Sequence, residues 1–200
     1  MPEAFFNGSE GSGKKLHHFQ RTIGANDVLD EVVIPGEPYL AAYSAVYAAV
    51  STATANSHLA QLMALAGTNL YIRRIRVRQK VAATTAAFMT LQILRLTTAG
   101  TGGTAVTPRA MDATDGAAAE DARFIPGVKG TEGSLLWEEA AWMVGATTAS
   151  GLELLEWTPA PNAKGIRISA GTANGIAVKN VTAIPAGQVD VLIDFWEASF

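Results

Sequence analysis

The stretch "NLYIRRIRVRQK", residues 69 to 80, carries the strongest local pattern in the chain. Ile75 and Val77 alternate with arginines, which is typical of a β-strand with one apolar face and one charged face. Such a strand needs a partner layer over its apolar face, so the pattern favours a packed sheet. The arginines of the charged face are Arg74, Arg76 and Arg78.

The alternation changes phase in the middle of this stretch. Leu70 and Ile72 have the opposite parity to Ile75 and Val77, and the change falls at Arg73 and Arg74. A β-bulge adds one residue to a strand and returns the apolar set to a single face. We therefore predict a bulge at this position.

Further strands are predicted on both sides of this stretch. The segment "YLAAYSAVYAAV" combines alanines, which favour a helix, with tyrosines and valines that fit either structure, and we interpret it as a strand. The turn-rich segments between the apolar runs are typical of a sandwich or barrel. The other predicted strands are "AFMTLQILRLTT", "SLLWEEAAWMV", "LELLEWTP", "KGIRISA", "NGIAVKNV" and "QVDVLIDFWEASF".

The sequence thus predicts an all-β fold, a sandwich or a barrel, with an extended N-terminal arm. Apolar residues make up 48 % of the 200 residues and charged residues only 16 %, enough for one good-sized core. The predicted core consists of Ile75, Val77, Leu91, Ile93, Ile166, Ile168, Val189, Val191 and Ile193.

Residues 1–26 form the predicted flexible arm, and residues 27–200 the β-sandwich domain. The arm has isolated apolar groups in a Gly, Ser, Lys and His background, too few to offset the entropy of ordering it. We expect it to be ordered by a neighbouring molecule. The predicted partner-contact residues are Phe5, Phe6, Lys14, Lys15 and Phe19 in the arm, and Arg74, Arg76 and Arg78 in the sandwich.

Composition limits the classes of partner. A formal net charge of −3 gives no electrostatic basis for nucleic acid as the main partner, so none is expected. The chain has no cysteine, which excludes disulfides and thiolate metal sites. No secretory signal is predicted, because Glu3 and the polar residues that follow it interrupt the apolar segment that such a signal needs. No membrane-spanning segment is predicted either, because polar residues, among them Asn56 and His58, interrupt the longest uncharged stretch.

Two glycine-rich segments resemble nucleotide-binding motifs. "GSEGSGKK", residues 8 to 15, has Lys15 where a P-loop needs a Ser or Thr, and lacks a preceding buried strand. "GTGGTA", residues 100 to 105, matches a dinucleotide fingerprint but continues as extended chain through Pro108. We interpret the first as part of the arm and the second as a loop between strands.

Candidate catalytic and metal-binding groups are few. The histidines are His17, His18 and His58, no GxSxG motif is present, and we interpret His58 as a hydrogen-bonded or surface residue. "DATDG", residues 112 to 116, lacks the ligand ladder of a calcium loop and is interpreted as a turn.

Carboxylates in "MDATDG", "WEEAAW" and "LELLEW" leave a two-carboxylate glycosidase open by residue type, but nothing selects a pair. Trp137 and Trp142 fit a core or an interface better than a sugar platform. We predict no catalytic residue, no cofactor and no metal site.

Several motifs together resemble a group of virion structural proteins of tailed bacteriophages. The resemblance covers roughly residues 27–200, and "GGTAVTPR" followed by "MDATD" is its most characteristic part. It implies an antiparallel β-sandwich of jelly-roll-like type with no catalytic residues to carry over. The motifs are "NLYIRRIRVRQ", "LRLTTAGTGGTAVTPRAMDATD", "KGTEGSLLW", "IRISAGTANGIAVKNVTA" and "VLIDFWEASF".

The function predicted from this resemblance is a non-enzymatic capsid decoration, or cement, protein. Its expected partners are the major capsid protein or other virion proteins and further copies of itself, with a trimer as one arrangement. Its expected location is the virion, assembled in the host cytoplasm. The alternatives are a neck, tail or fibre-attachment protein of the virion and, from a different class, a carbohydrate-binding or glycan-hydrolysing module.

Overall fold

The computed structural model describes residues 18–23, 26–31, 40–145, 151–161, 163 and 165–199. The chain divides into two units, residues 1–39 and 40–200. In the first unit, β1 (His18–Ile23) and β2 (Asn26–Glu31) form an antiparallel hairpin, of which the backbone alone is described. The predicted boundary at residue 26 falls on the first residue of β2, and the role of this segment as an arm stays a prediction.

The second unit is a sandwich of two antiparallel sheets, and its described residues contain no helix. The all-β prediction is therefore confirmed. Its strands are β3 (Ala41–Ser51), β4 (Ser57–Ala64), β5 (Thr68–Val81), β6 (Ala87–Leu96), β7 (Thr104–Val106), β8 (Arg109–Ala110), β9 (Glu120–Phe124), β10 (Glu132–Met143), β11 (Glu153–Trp157), β12 (Ile166–Ile168), β13 (Gly175–Asn180) and β14 (Gln188–Ser199).

The strands divide equally between the two sheets. Sheet I has the order β10-β6-β13-β4-β9-β7. Sheet II has the order β11-β5-β14-β3-β8, and β12 pairs with the same side of β5 as β11, further towards the start of β5. The segment whose helix or strand character was ambiguous forms β3, which confirms the strand interpretation.

Strand β5 contains the predicted bulge. Asp194 of β14 lies opposite Arg74, and the next residue, Phe195, lies opposite Ile72, so Arg73 is the extra residue. The side chains of Ile72 and Ile75 on either side of it are both fully buried. The change of parity seen in the sequence is this bulge.

One apolar core lies between the sheets. It contains eight of the nine predicted core residues, all with no exposed surface, whereas Ile166 is half-buried and packs at its margin. A second, smaller cluster, Met63, Leu94, Leu96 and Ala177, lies apart from it, with Ala99 packed against it. Because Ala99 lies in the loop that follows β6, this loop covers part of the outer face of sheet I.

Candidate functional site

The predicted contact residues divide into two groups. Phe5, Phe6, Lys14 and Lys15 lie outside the described residues, and so does the "GSEGSGKK" segment that contains the lysines. Phe19 lies in β1, where only the backbone is described. The contact role of these arm residues stays a prediction.

The arginine row lies on the outer face of sheet II and is paired with carboxylates of the same chain. Arg74 contacts Asp194 of β14 at 2.7 Å, and Arg76 contacts Glu153 of β11 at 2.6 Å. Arg78 lies 3.7 Å from the same Glu153. The hydrogen bond from Arg76 lowers the pKa of Glu153. These arginines, predicted as partner contacts, thus have carboxylate partners within the chain, and their contact with another protein stays a prediction.

The bulge brings a fourth arginine to this face. The guanidinium carbon of Arg73 lies 4.2 Å from the centroid of the Trp196 ring, in a cation–π contact. Beside it, Asp194 is only 6 % exposed, and its Oδ1 has no hydrogen-bond partner among the described residues. These side chains line a cavity of about 360 Å³ together with Ala42, Arg74, Met111, Thr158, Pro159 and Phe195.

A polar cluster lies against sheet I where β10 begins. Glu132 accepts hydrogen bonds from Lys129 at 2.8 Å and Lys179 at 2.9 Å, and contacts Nε2 of His58 at 3.1 Å. Burial opposes ionisation of this carboxyl, but the three donors prevail and lower the pKa of Glu132 to about 2. Hydrogen bonds from charged groups thus fix the position of Glu132, the first residue of β10.

His58 is fully buried in this cluster. Its Nδ1 lies 2.8 Å from Nε2 of Gln61, and the Oε1 of that glutamine accepts from the Gly100 amide at 3.0 Å. Because the Gly100 N–H donates to Oε1 of Gln61, the side-chain nitrogen of Gln61 is the atom that faces His58. Nδ1 of His58 therefore accepts from this nitrogen, and Nε2 donates to Glu132. Burial lowers the pKa of His58. Both ring nitrogens are engaged, which confirms the interpretation of His58 as a hydrogen-bonded residue.

Two carboxylates from different sheets lie close together elsewhere, and neither oxygen of Glu120 has a hydrogen-bond partner among the described residues. Glu120 of β9 lies near Glu197 of β14, whose Oε1 accepts from the Ala119 amide at 2.7 Å. Burial and the Glu197 carboxylate raise the pKa of Glu120 to about 9. Within the described part of the chain, no group of three or more histidine or acidic side chains is placed to hold a metal ion.

The segments "DATDG" and "GTGGTA" form turns. Asp112 accepts from the amide and hydroxyl of Thr114 at 2.9 and 2.8 Å, which closes the "DATDG" turn. The chain leaves Gly103 directly into β7, a strand, where a dinucleotide fingerprint needs the N-terminus of a helix. Gly103 has a φ of 75°, which glycine adopts without strain.

Strand β10 is the edge of sheet I and carries exposed apolar side chains. Leu135, Trp137 and Trp142 are 52 %, 45 % and 46 % exposed. Phe88 of the neighbouring β6 is 64 % exposed and packs edge-on against Trp142, with ring centroids 4.7 Å apart. The tryptophans thus lie at the surface, where an interface could form.

Sequence reasoning missed the groups that act in pairs. Asp194, Glu153 and Glu132 were not selected, because Arg74, Arg76 and His58, which they respectively contact, lie 120, 77 and 74 residues away along the chain. The one available indication was in β14, where Asp190 and Asp194 share a strand face. That spacing predicts a charged face but not its partners.

The fold and these surfaces define an all-β sandwich with a charge-compensated face and an open apolar edge. No family model, curated protein or solved structure is detectably similar to the chain. No helix among the described residues is long and apolar enough to cross a membrane.

Proposed function

We propose that the chain is a non-enzymatic structural subunit of a tailed-bacteriophage virion, a decoration protein on the head. The observation that carries the proposal is the nesting of the strand pairs. β3 pairs with β14, β4 with β13, β5 with β11 and β6 with β10, so each pair encloses the next along the chain.

This nesting supports the jelly-roll part of the sequence prediction. The chain alternates between sheets at β3, β4, β5 and β6, and returns through β10, β11, β13 and β14 to the partners in reverse order. A doubled-over ribbon of eight strands is the connectivity of a jelly roll, which is common among viral capsid proteins. The fold alone fixes no function, so the motifs that resemble virion proteins supply the rest of the support.

The side chains of the sandwich suit a packing role. The buried histidine has both nitrogens in hydrogen bonds, and Arg74 and Arg76 of sheet II are paired with carboxylates. The apolar groups at the edge of sheet I remain available to another protein. We therefore expect the protein to act by contact with other virion proteins and with copies of itself.

Copy number tests this proposal. Particles of the phage that encodes the chain would be purified, and the protein would be quantified against the major capsid protein by mass spectrometry with labelled standards. A decoration protein should be present in numbers comparable to the capsid protein. A small fraction of that number would point to the neck or tail, and absence from the particle would contradict the proposal. Binding to a glycan followed by its hydrolysis would support the glycan-module alternative.

The arm gives a second test of attachment. Phe5, Phe6 and Phe19 lie in the predicted arm, and burying one phenylalanine against a partner contributes roughly 1.5 to 3 kcal/mol. Deleting residues 1–24 should leave the melting temperature of the isolated protein nearly unchanged but reduce its binding to particles that lack it. A truncated protein that binds at full occupancy and affinity would show that attachment does not use the arm.

A further inference from the structure

One edge of sheet I is open along a long strand. β10 pairs only with β6, and among the described residues no backbone hydrogen bond occupies its other side. An unpaired edge presents a row of N–H and C=O groups that can accept another strand. The edge of β10 is therefore a site for strand addition.

Two of the features that usually protect such an edge, proline and lysine, are missing from β10. Between Glu132 and Met143 the strand contains no lysine, arginine or proline, and its only other charged residues are Glu138 and Glu139. Proteins commonly block open edges with prolines, lysines or bulges. The bulges of β10 lie before Trp137, where its pairing with β6 shifts, and leave the rest of the strand regular.

Apolar groups are exposed on both faces of this regular part. Residues Trp137 to Met143 pair one for one with Ile93 to Ala87 of β6. Trp142 shares the outer face with Phe88, while Trp137 has the parity of the core-facing residues and is still 45 % exposed. Water contacts both tryptophans, so an added strand would cover apolar surface on two sides at once.

The sequence of this part is compatible with its own copy. In an antiparallel pair related by a two-fold axis, residues at equal distances on opposite sides of the axis face each other. The centre of the regular part is Ala140. An axis there uses the whole segment and places Trp137 opposite Met143 of the second copy, Glu138 opposite Trp142 and Glu139 opposite Ala141.

Other registers are less favourable. An axis through Glu138 or Glu139 would place two carboxylates directly opposite each other, which is destabilising. An axis through Ala141 or Trp142 would leave part of the regular segment unpaired. Ala140 is small and exposed, so its side chain does not obstruct the approach of a second strand at the axis.

We propose that β10 pairs antiparallel with β10 of a second copy of this chain, about a two-fold axis at Ala140, and joins the two copies of sheet I into one continuous sheet. The inference goes beyond the virion proposal and does not depend on it, since the dimer needs only two copies of this chain and can be tested with the purified protein. A dimer could form whether or not the protein is found on a phage head.

The absence of cysteine from the chain allows a direct test. Residues opposite each other in an antiparallel pair have Cα atoms about 4.5 to 5.5 Å apart, within the range that a disulfide spans. Ala140→Cys should therefore cross-link nearly completely to a covalent dimer under mild oxidation. Ala55→Cys, an exposed position in the turn between β3 and β4, is the matched control and should stay largely uncross-linked.

Charge at the axis gives the second arm of the experiment. Ala140→Lys and Ala140→Glu should each sediment as monomers, because two like charges would face each other, while an equimolar mixture should form a heterodimer. The unmodified protein should sediment as a dimer. A monomeric unmodified protein at micromolar concentration, or a dimer whose Ala140→Cys variant cross-links no faster than the control, would overturn the proposal and leave the edge to an unlike partner.

Discussion

The outer face of sheet II and the open edge of sheet I differ in composition and in whether their side chains and backbone have partners within the chain. The first carries Arg74, Arg76 and Arg78, each near a carboxylate of an adjacent strand. The second carries exposed tryptophans on a strand that, within the described part of the chain, pairs on one side only. In the sequence the arginine row is the more conspicuous contact candidate, but its charges already have partners.

The difference comes from position in the sheet. β5 has β14 on one side and β11 and β12 on the other, so its outward side chains meet those of two neighbours. Among the described residues, β10 has a neighbour on one side only. Charged side chains on an interior strand can find partners on the strands beside it. On an edge strand, by contrast, both the backbone groups and the side chains of one side remain available to another molecule.

The largest expected effect lies beneath the arginine face. Ile75→Ala removes buried methyl groups from the core and leaves a cavity, and should lower the free energy of unfolding by about 2 to 4 kcal/mol. Leu135→Ala, at the half-exposed edge, should cost less than about 1 kcal/mol. Urea unfolding of both variants measures the difference, and equal losses would show that the edge is as closely packed as the core.

A smaller loss is expected within the charged face. Asp194→Asn removes the charge of a 9 % exposed side chain that accepts from Arg74 at 2.8 Å, and should cost about 1 to 2 kcal/mol. Glu156→Gln is the control, since this carboxylate is 48 % exposed and 3.8 Å from Arg76, and should change stability by less than about 0.5 kcal/mol. If the control loses as much as Asp194→Asn, burial does not distinguish the two pairs.

A pH-dependent effect should appear at Glu132, the first residue of β10. Because the pKa of Glu132 is lowered from 4.5 to about 2, its contribution to stability is present above pH 4.5 and is lost as the pH falls through 2. Glu132→Gln should therefore melt a few degrees below the unmodified protein at pH 7, and the gap should close towards pH 2. A gap that is independent of pH would mean that the carboxylate charge contributes nothing.

Much of the fold could be predicted from local pattern. Periodicity located the long strands, and the parity change between Ile72 and Ile75 located the bulge at Arg73. Eight of the nine predicted core residues are fully buried. These features depend on neighbours in sequence, which is why residue spacing reveals them.

The pairing of distant segments could not be predicted in the same way. Nothing in the spacing of residues around Arg76 indicates that Glu153 of β11 will lie beside it, and nothing around His58 indicates Glu132. Whether a strand lies at an edge or in the interior also depends on the strand order of the whole sheet. The exposure of Trp137 and Trp142 follows from that order and not from their own sequence.

Strand β14 determines when sheet II can fold during synthesis. It lies in the middle of sheet II between β3 and β5, which do not pair with each other, yet it is the last of the three to leave the ribosome. Until residues 188–199 emerge, β3 and β5 each lack the neighbour that joins them. Contacts so far apart in sequence fold slowly, and unpaired strands are prone to aggregate. A ribosome-bound chain stalled before residue 188 should therefore remain sensitive to protease across β3, and sheet II should form only after synthesis has passed β14.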